Sequence, residues 1–382
     1  MYKDIIDRIK SCLPKNESYV IHEPFFENKA IQDIKNCIDS SYVSTQGEYL
    51  EKFKLKLQKI TNSKYILLTN TGTSALFLSL KIHNVEQTEI FVPSMTFAAT
   101  VNAILYNNAI PHFIDCERDS PNIDIEKFDI YLKSNFFVKN QSCFNKLTKK
   151  RVSSILVVHA YGLPVNIGKL KKITKKYHLE IIEDAAGGLG SYYNNKHIGI
   201  NSRTSIISFN GNKIVTTGMG GAILLKNNKD YKKIKHIMST ARLQHKWKIE
   251  HDMLGYNLRM SNINAAVGYN QLLNLNKTLI QKRKLFLKYR KVFKNNEYCY
   301  ISDEQVNSSP NHWVINLMLK DKYIKHQQQL LKYMHRNKLL IRELWKPQHL
   351  AKYLKKYPRS DLTNTIQIWK RTISLPSCYY NK

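Results

Sequence analysis

Three stretches of the 382-residue chain combine residue types and spacings suited to chemistry. In residues 69–76 (TNTGTSAL) an apolar run ends, Gly72 permits a tight turn, and a helical pattern begins at Thr73 and Ser74. First-turn N–H groups have no intrahelical acceptor, so hydroxyls and amides there form an anion site; the same pattern also serves as an ordinary N-cap. In residues 181–191 (IIEDAAGGLGS) Asp184 closes a buried strand, where an unpaired carboxylate is costly. Such an acid either caps a turn or pairs with a protonated ring nitrogen, and Glu183 points the other way along the pleat. In residues 208–221 (SFNGNKIVTTGMGG) a strand delivers Ser208, and Lys213 lies among apolar and glycine neighbours. Desolvation there lowers an amine's pKa, as a Schiff-base lysine requires. The competing reading is a surface lysine in a hairpin.

Positioning these residues needs a repeated strand-then-helix unit, and the chain has one. Apolar runs at 65–68, 89–92, 111–114, 154–158, 180–183, 204–209 and 222–225 alternate with helical patterns at 74–81, 98–106 and 167–177. Short β-branched runs in that alternation predict an α/β fold with a mainly parallel sheet covered by helices on both faces. All three stretches then fall at the carboxyl ends of strands, where such sheets bind ligands. From about residue 250 the pattern changes to long helices at 262–275 and 281–294, a strand at 313–319 and a helix at 324–337. This predicts a large domain over 20–250 and a smaller α+β domain over 251–382, with residues 1–19 forming a helix that packs against the smaller one. Residues 133–150 are polar and unpatterned and read as an exposed loop.

Composition narrows the setting. Apolar residues make up 43% and charged residues 23%, ordinary values for a globular protein. No apolar run is long enough to span a bilayer, and the charged N-terminus is unlike a signal peptide, so a cytoplasmic location is expected. The six cysteines are scattered without a C-x-x-C pair and are expected to be reduced. A formal charge of +31 suggests a polyanionic partner, but runs such as KKITKKYH read as solvated helix faces. No nucleic-acid-binding module is recognisable, and no metal site is expected.

The joint occurrence of the three stretches, in this order, resembles the DegT/DnrJ/StrS-type sugar aminotransferases of the fold-type I pyridoxal phosphate (PLP) enzymes. The resemblance runs from about His22 to Pro376. It includes residues 42–50 (YVSTQGEYL), 93–103 (PSMTFAATVNA), 159–164 (HAYGLP) and 255–266 (GYNLRMSNINAA). Residues 21–26 (IHEPFF), 244–252 (QHKWKIEHD) and 344–350 (LWKPQHL) look closest to legionaminic-acid-type 4-aminotransferases.

The resemblance implies that Lys213 is the Schiff-base lysine and proton carrier, and that Asp184 is the partner of the pyridine nitrogen. It implies that Phe97 stacks on the cofactor ring and that Gly72, Thr73, Ser74 and Ser208 cradle the phosphate. Asn257 would reach the phosphate of the neighbouring subunit, completing the site in a homodimer. The implied substrates are L-glutamate and a nucleotide-linked keto sugar, with His245, Lys246 and Trp247 as candidates to hold the latter. Two positions depart from the wider pattern: Gly187 stands where many members carry Gln or His, and Met219 replaces an acid. Some dehydratases of this fold carry histidine at the lysine position; Lys213 favours transamination. A 3-amino-sugar enzyme or a non-catalytic PLP-binding regulator stays open on these motifs.

Overall fold

A computed structural model describes residues 1–378. The runs of isoleucine, leucine and valine form a nine-stranded sheet whose seven-strand path has the order 65–69, 221–225, 204–208, 180–184, 151–158, 89–93, 110–114. Along this path only strand Gly221–Leu225 runs antiparallel to its neighbours. The strands are apolar on both sides because helices cover both. Leu67, Ile90, Val92, Leu156, Ile182, Ile206 and Ile223 pack with helices Gly72–Lys81, Ala98–Tyr106 and Asn228–Ile237. The alternate residues Phe91, Ile155, Val157 and Ile181 meet helices Ile125–Asn135 and Ile167–Lys176. Ile66, Ile207, Ala222 and Leu224 continue that second face onto Phe53 and Leu57 of helix Glu48–Thr61. Each such buried side chain contributes about 1.5–3 kcal/mol relative to exposure.

The C-terminal part builds a four-stranded antiparallel sheet in the order 299–301, 315–319, 372–375, 342–343. Helix Leu275–Phe293 packs against it through Leu285, Phe286, Tyr289 and Phe293. Helix Tyr2–Ser11 buries Ile5, Ile6 and Ile9 in the same core, against helices Leu275–Phe293 and Gln327–Arg336. Among the described residues no helix is long and apolar enough to cross a membrane. All six cysteines are buried, and Cys12, Cys37, Cys116, Cys143 and Cys299 are free thiols. In helix Ile167–Lys176 the lysines lie outside and Ile167, Leu170 and Ile173 inside, as a solvated charged face requires.

Two regions differ from expectation. Residues 133–150 contain a hairpin, Phe136–Lys139 with Ser142–Asn145, that joins the large sheet through strand Arg151–Val158. Its polar residues have a buried purpose: Asn145 and Thr148 donate to the carboxylate of Glu89, which also meets His112 at 2.8 Å. The second is the chain beyond the helix expected at 324–337, where the sequence predicts no element. It lies along the edge strand Ile110–Ile114, with the Phe113 N–H donating to the Pro358 carbonyl (2.9 Å) and Ser360 returning a bond to Phe113 (2.9 Å). Asp115 then accepts the Thr365 N–H and hydroxyl at 2.8 and 2.7 Å, anchoring helix Thr363–Arg371. An edge covered this way is closed to a foreign strand.

Burial raises the Glu89 carboxyl, but hydrogen bonds from His112, Asn145 and Thr148 outweigh it and hold the group below its usual range. A depressed folded-state pKa stabilises above the unfolded value, 4.5 here, and that stability is lost as pH falls through the folded value. Glu89→Ala is expected to cost about 3–5 kcal/mol near neutrality, because it strands buried partners. Its penalty shrinks below about pH 4.5, and urea unfolding at neutral and acidic pH measures both.

Candidate active site

The parallel strands deliver their last residues to one cavity of about 320 Å³. After strand Tyr65–Thr69, Thr71 caps helix Gly72–Lys81 by accepting the Ser74 N–H (3.0 Å), and Gly72 and Thr73 line the cavity. Residue 72 must be glycine: a Cβ there would lie 2.8 Å from the Cβ of Ser208, which closes the neighbouring strand end. Phe97, 58% exposed, caps helix Ala98–Tyr106 at the cavity wall. Strand Glu180–Asp184 lies beside strand Thr204–Ser208 in parallel register, Asp184 opposite Ile206. That pairing sets Asp184 and the turn carrying Lys213 side by side.

The electrostatics of this pair are governed by burial. Asp184 accepts from the Thr100 hydroxyl (2.7 Å) and the Ala186 N–H (3.0 Å), yet burial still pushes its carboxyl up. Burial also draws the Lys213 ammonium down to about 8, against a weaker opposing pull from Asp184. The Lys213 Nζ stands 3.8 Å from the ring centroid of Trp313, whose indole N–H donates to the Asn212 carbonyl (2.7 Å). Trp313, Tyr161 and Trp345 form one aromatic wall, Tyr161 stacking on Trp345 at 4.0 Å and on Trp313 at 6.3 Å. Tyr161 holds a left-handed backbone (φ 55°), and its hydroxyl accepts the Trp345 N–H at 2.8 Å. Glu183 faces away and is buried against His159, Gly199 and Ser202.

Gly72, Thr73, Phe97, Asp184, Ser208 and Lys213 therefore line one cavity, while Ser74 is turned into the cap of its own helix. Asn257 is exposed and lies outside the cavity, as do His245, Lys246 and Trp247, the last 78% exposed. All four belong to an outward-facing segment that one chain does not fold over its own cavity. Gly187 has a steric reason: a Cβ there would meet Trp313 Cε3 at 2.6 Å, so the indole occupies the space a Gln or His would need. Met219, 59% exposed, lines the cavity in place of an acid. Sequence reasoning missed Thr71, Thr100, Tyr161, Trp313, Arg342 and Trp345. Thr71 and Thr100 sit inside quoted motifs and could have been found as hydroxyls in the first turns after strands. Trp313 and Arg342 arrive from a distant segment with no local signal.

The chain matches the model of the DegT/DnrJ/EryC1/StrS aminotransferase family over residues 25–380. Similar curated proteins include GDP-perosamine synthase of Escherichia coli O157:H7, 28% identical, covering 94% of this chain and 92% of the relative. Another is UDP-4-amino-4,6-dideoxy-N-acetyl-beta-L-altrosamine transaminase of Campylobacter jejuni, 29% identical over 87% and 86% of the two chains. Among solved structures, Helicobacter pylori PseC, an aminotransferase of pseudoaminic acid biosynthesis, superimposes with a TM-score of 0.85 at 23% identity, covering 94% of both chains. The chain thus belongs to the DegT/DnrJ/EryC1/StrS family of PLP-dependent aminotransferases acting on nucleotide sugars.

The cavity suits that cofactor on its own geometry. A buried carboxylate with burial-raised pKa needs a cationic partner, and the cramped glycine at a helix N-terminus leaves room for an anion. The volume lies at the lower end of ligand pockets, roughly 300–1,000 Å³. In cofactor-free protein, competitive amine labelling of Lys213 is expected to reach half-maximum near pH 8, against the 10.5 of an ordinary lysine. Gly187→Ala is expected to cost about 1–3 kcal/mol by displacing Trp313, and Trp313→Leu in the same chain to recover part of it, by thermal or urea unfolding.

Proposed function

We propose that the chain transfers the amino group of L-glutamate to C4 of a nucleotide-linked 4-keto-6-deoxy sugar, with a UDP-linked N-acetylhexosamine as the preferred acceptor. The observation that carries this reading is Lys213 and Asp184 facing one cavity at adjacent strand ends. The relatives named GDP-perosamine synthase and UDP-4-amino-4,6-dideoxy-N-acetyl-beta-L-altrosamine transaminase support a nucleotide-linked acceptor, the second a 4-amino sugar. The motifs at 21–26, 244–252 and 344–350 favour the legionaminic-acid-type enzymes within it, and cell-surface polysaccharide as the destination.

When bound, PLP supplies the conjugated ring that accepts the electron pair of a breaking C–H bond. Lys213 would hold the cofactor covalently, and its amine, when free, would carry the proton at the substrate carbon. Its low pKa leaves a fraction of the amine free near neutrality to do so. Asp184 would keep the pyridine nitrogen protonated, Phe97 would cover the ring, and Gly72, Thr73 and Ser208, which line the cavity, would receive the phosphate, with the Ser74 hydroxyl held in the helix cap. In the net reaction L-glutamate and the keto sugar become 2-oxoglutarate and the amino sugar, the keto oxygen of one exchanged for the amino group of the other. Arg342 is the one cavity-lining cation besides Lys213 and makes no ion pair among the described residues, so it suits a substrate carboxylate.

We also propose a homodimer with shared sites. Segment 242–257 exposes Trp247, Ile249, Met253 and Leu254 beside Asn257, an apolar surface that a second subunit would bury. Asn257 would then reach the partner's phosphate, and His245, Lys246 and Trp247 the nucleotide sugar.

Mass spectrometry of products from L-glutamate with a panel of UDP- and GDP-4-keto-6-deoxy sugars tests the main reading; no amine transfer to any of them refutes it. Lys213→Ala should abolish both turnover and the visible absorbance of the bound cofactor. Arg342→Gln should raise the KM for L-glutamate by about 10–100-fold, the loss of one charged hydrogen bond, with kcat little changed. Mixing inactive Lys213→Ala and Asn257→Ala chains should restore activity if sites are shared between subunits; separately folded sites would stay inactive.

A further inference from the structure

The molecule holds a buried lysine that the proposed reaction does not use. Lys282, on helix Leu275–Phe293, is 1% exposed and has no carboxylate within ion-pair distance among the described residues. Its Nζ lies 2.6 Å from the Ser377 carbonyl, 3.2 Å from the Trp313 carbonyl and 3.3 Å from His22 Nδ1. Three acceptors match the three protons of an ammonium, while burial draws the group down to about 7. His22 Nε2 in turn lies 3.0 Å from the Lys213 carbonyl. Burial, together with the neighbouring ammonium, holds His22 well below the ordinary imidazole range. A neutral ring accepts from Lys282 through Nδ1 and donates through Nε2–H to Lys213, which assigns its tautomer.

Two holders of the Lys213 turn therefore hang from one side-chain nitrogen. His22 grips the carbonyl of Lys213 itself, and Trp313 grips the Asn212 carbonyl while placing its ring beneath the Lys213 amine. We propose that Lys282 is a positioning residue: through His22 and Trp313 it fixes the Lys213 turn against the cavity, so that the amine meets its target in one orientation. The proposal rests on the assignment of Lys213 as the reactive lysine, and its test has one arm that does not depend on turnover.

The arm independent of turnover is hydrogen exchange of peptide 209–217 in the full-length, cofactor-free chain. Lys282→Met and His22→Leu should speed exchange there by about tenfold or more, while His22→Gln, which keeps an acceptor and a donor, should stay close to wild type. In the cofactor-loaded enzyme the two disruptive variants should lower kcat by about tenfold or more with KM for both substrates nearly unchanged. His22→Gln should retain most of kcat. Unchanged exchange in His22→Leu, or equal damage from His22→Leu and His22→Gln, overturns the proposal, and the His22 pair decides it even if Lys282→Met does not fold. Should the wild type prove not to transfer amines at all, the exchange comparison still stands alone.

Discussion

A carboxylate at the buried end of a parallel strand is the constraint around which this molecule is arranged. Two hydrogen bonds, from Thr100 and the Ala186 amide, do not offset the desolvation of Asp184, whose carboxyl is still pushed up. It needs a cation opposite, and the register with strand Thr204–Ser208 brings the Lys213 turn beside it. The two groups bias each other in the useful direction. Burial frees the amine of its proton while a ring nitrogen, when present, can keep one. The sheet order, the glycine at 72 and the aromatic wall of Tyr161, Trp313 and Trp345 all serve that confrontation.

Much of this was legible because it is local. Strand ends, the Gly72 turn, Asp184 and Lys213 are written in short stretches whose apolar periodicity fixes where they fall. The hairpin at 136–145 was not legible because its polar residues are spent on a buried carboxylate 56 residues away, and polarity alone reads as exposure. The covering of the edge strand by residues 358–360 was hidden for the same reason: backbone bonds to a distant strand leave no pattern in side chains. Helix Leu275–Phe293 starts earlier than its pattern suggests, since Leu275 is buried in the core and continues the apolar face.

The two departures at residues 187 and 219 differ in kind. Gly187 is tied to Trp313, so the missing side chain is replaced by one from elsewhere in the chain, and the cavity stays walled. Met219 has no such counterpart; it stands partly exposed where an acid is usual, and nothing in the structure explains the exchange. Asn257, His245, Lys246 and Trp247 lie where one chain alone gives them no cavity to face. A pattern in the sequence can name such residues but cannot say what they face.

The strap that ends at His22 also has a consequence for how the protein is made. Strand Tyr19–Val20 pairs with Leu339–Leu340, Ile21 accepts from Ser377, and His22 meets Lys282. On a ribosome the first of these partners emerges hundreds of residues before the last. The nascent chain can assemble the large sheet and its helices while still tethered, but the Lys213 turn stays unclasped until residues 282, 313 and 377 have followed. A product cut short before residue 282 would carry Lys213 in a loose setting.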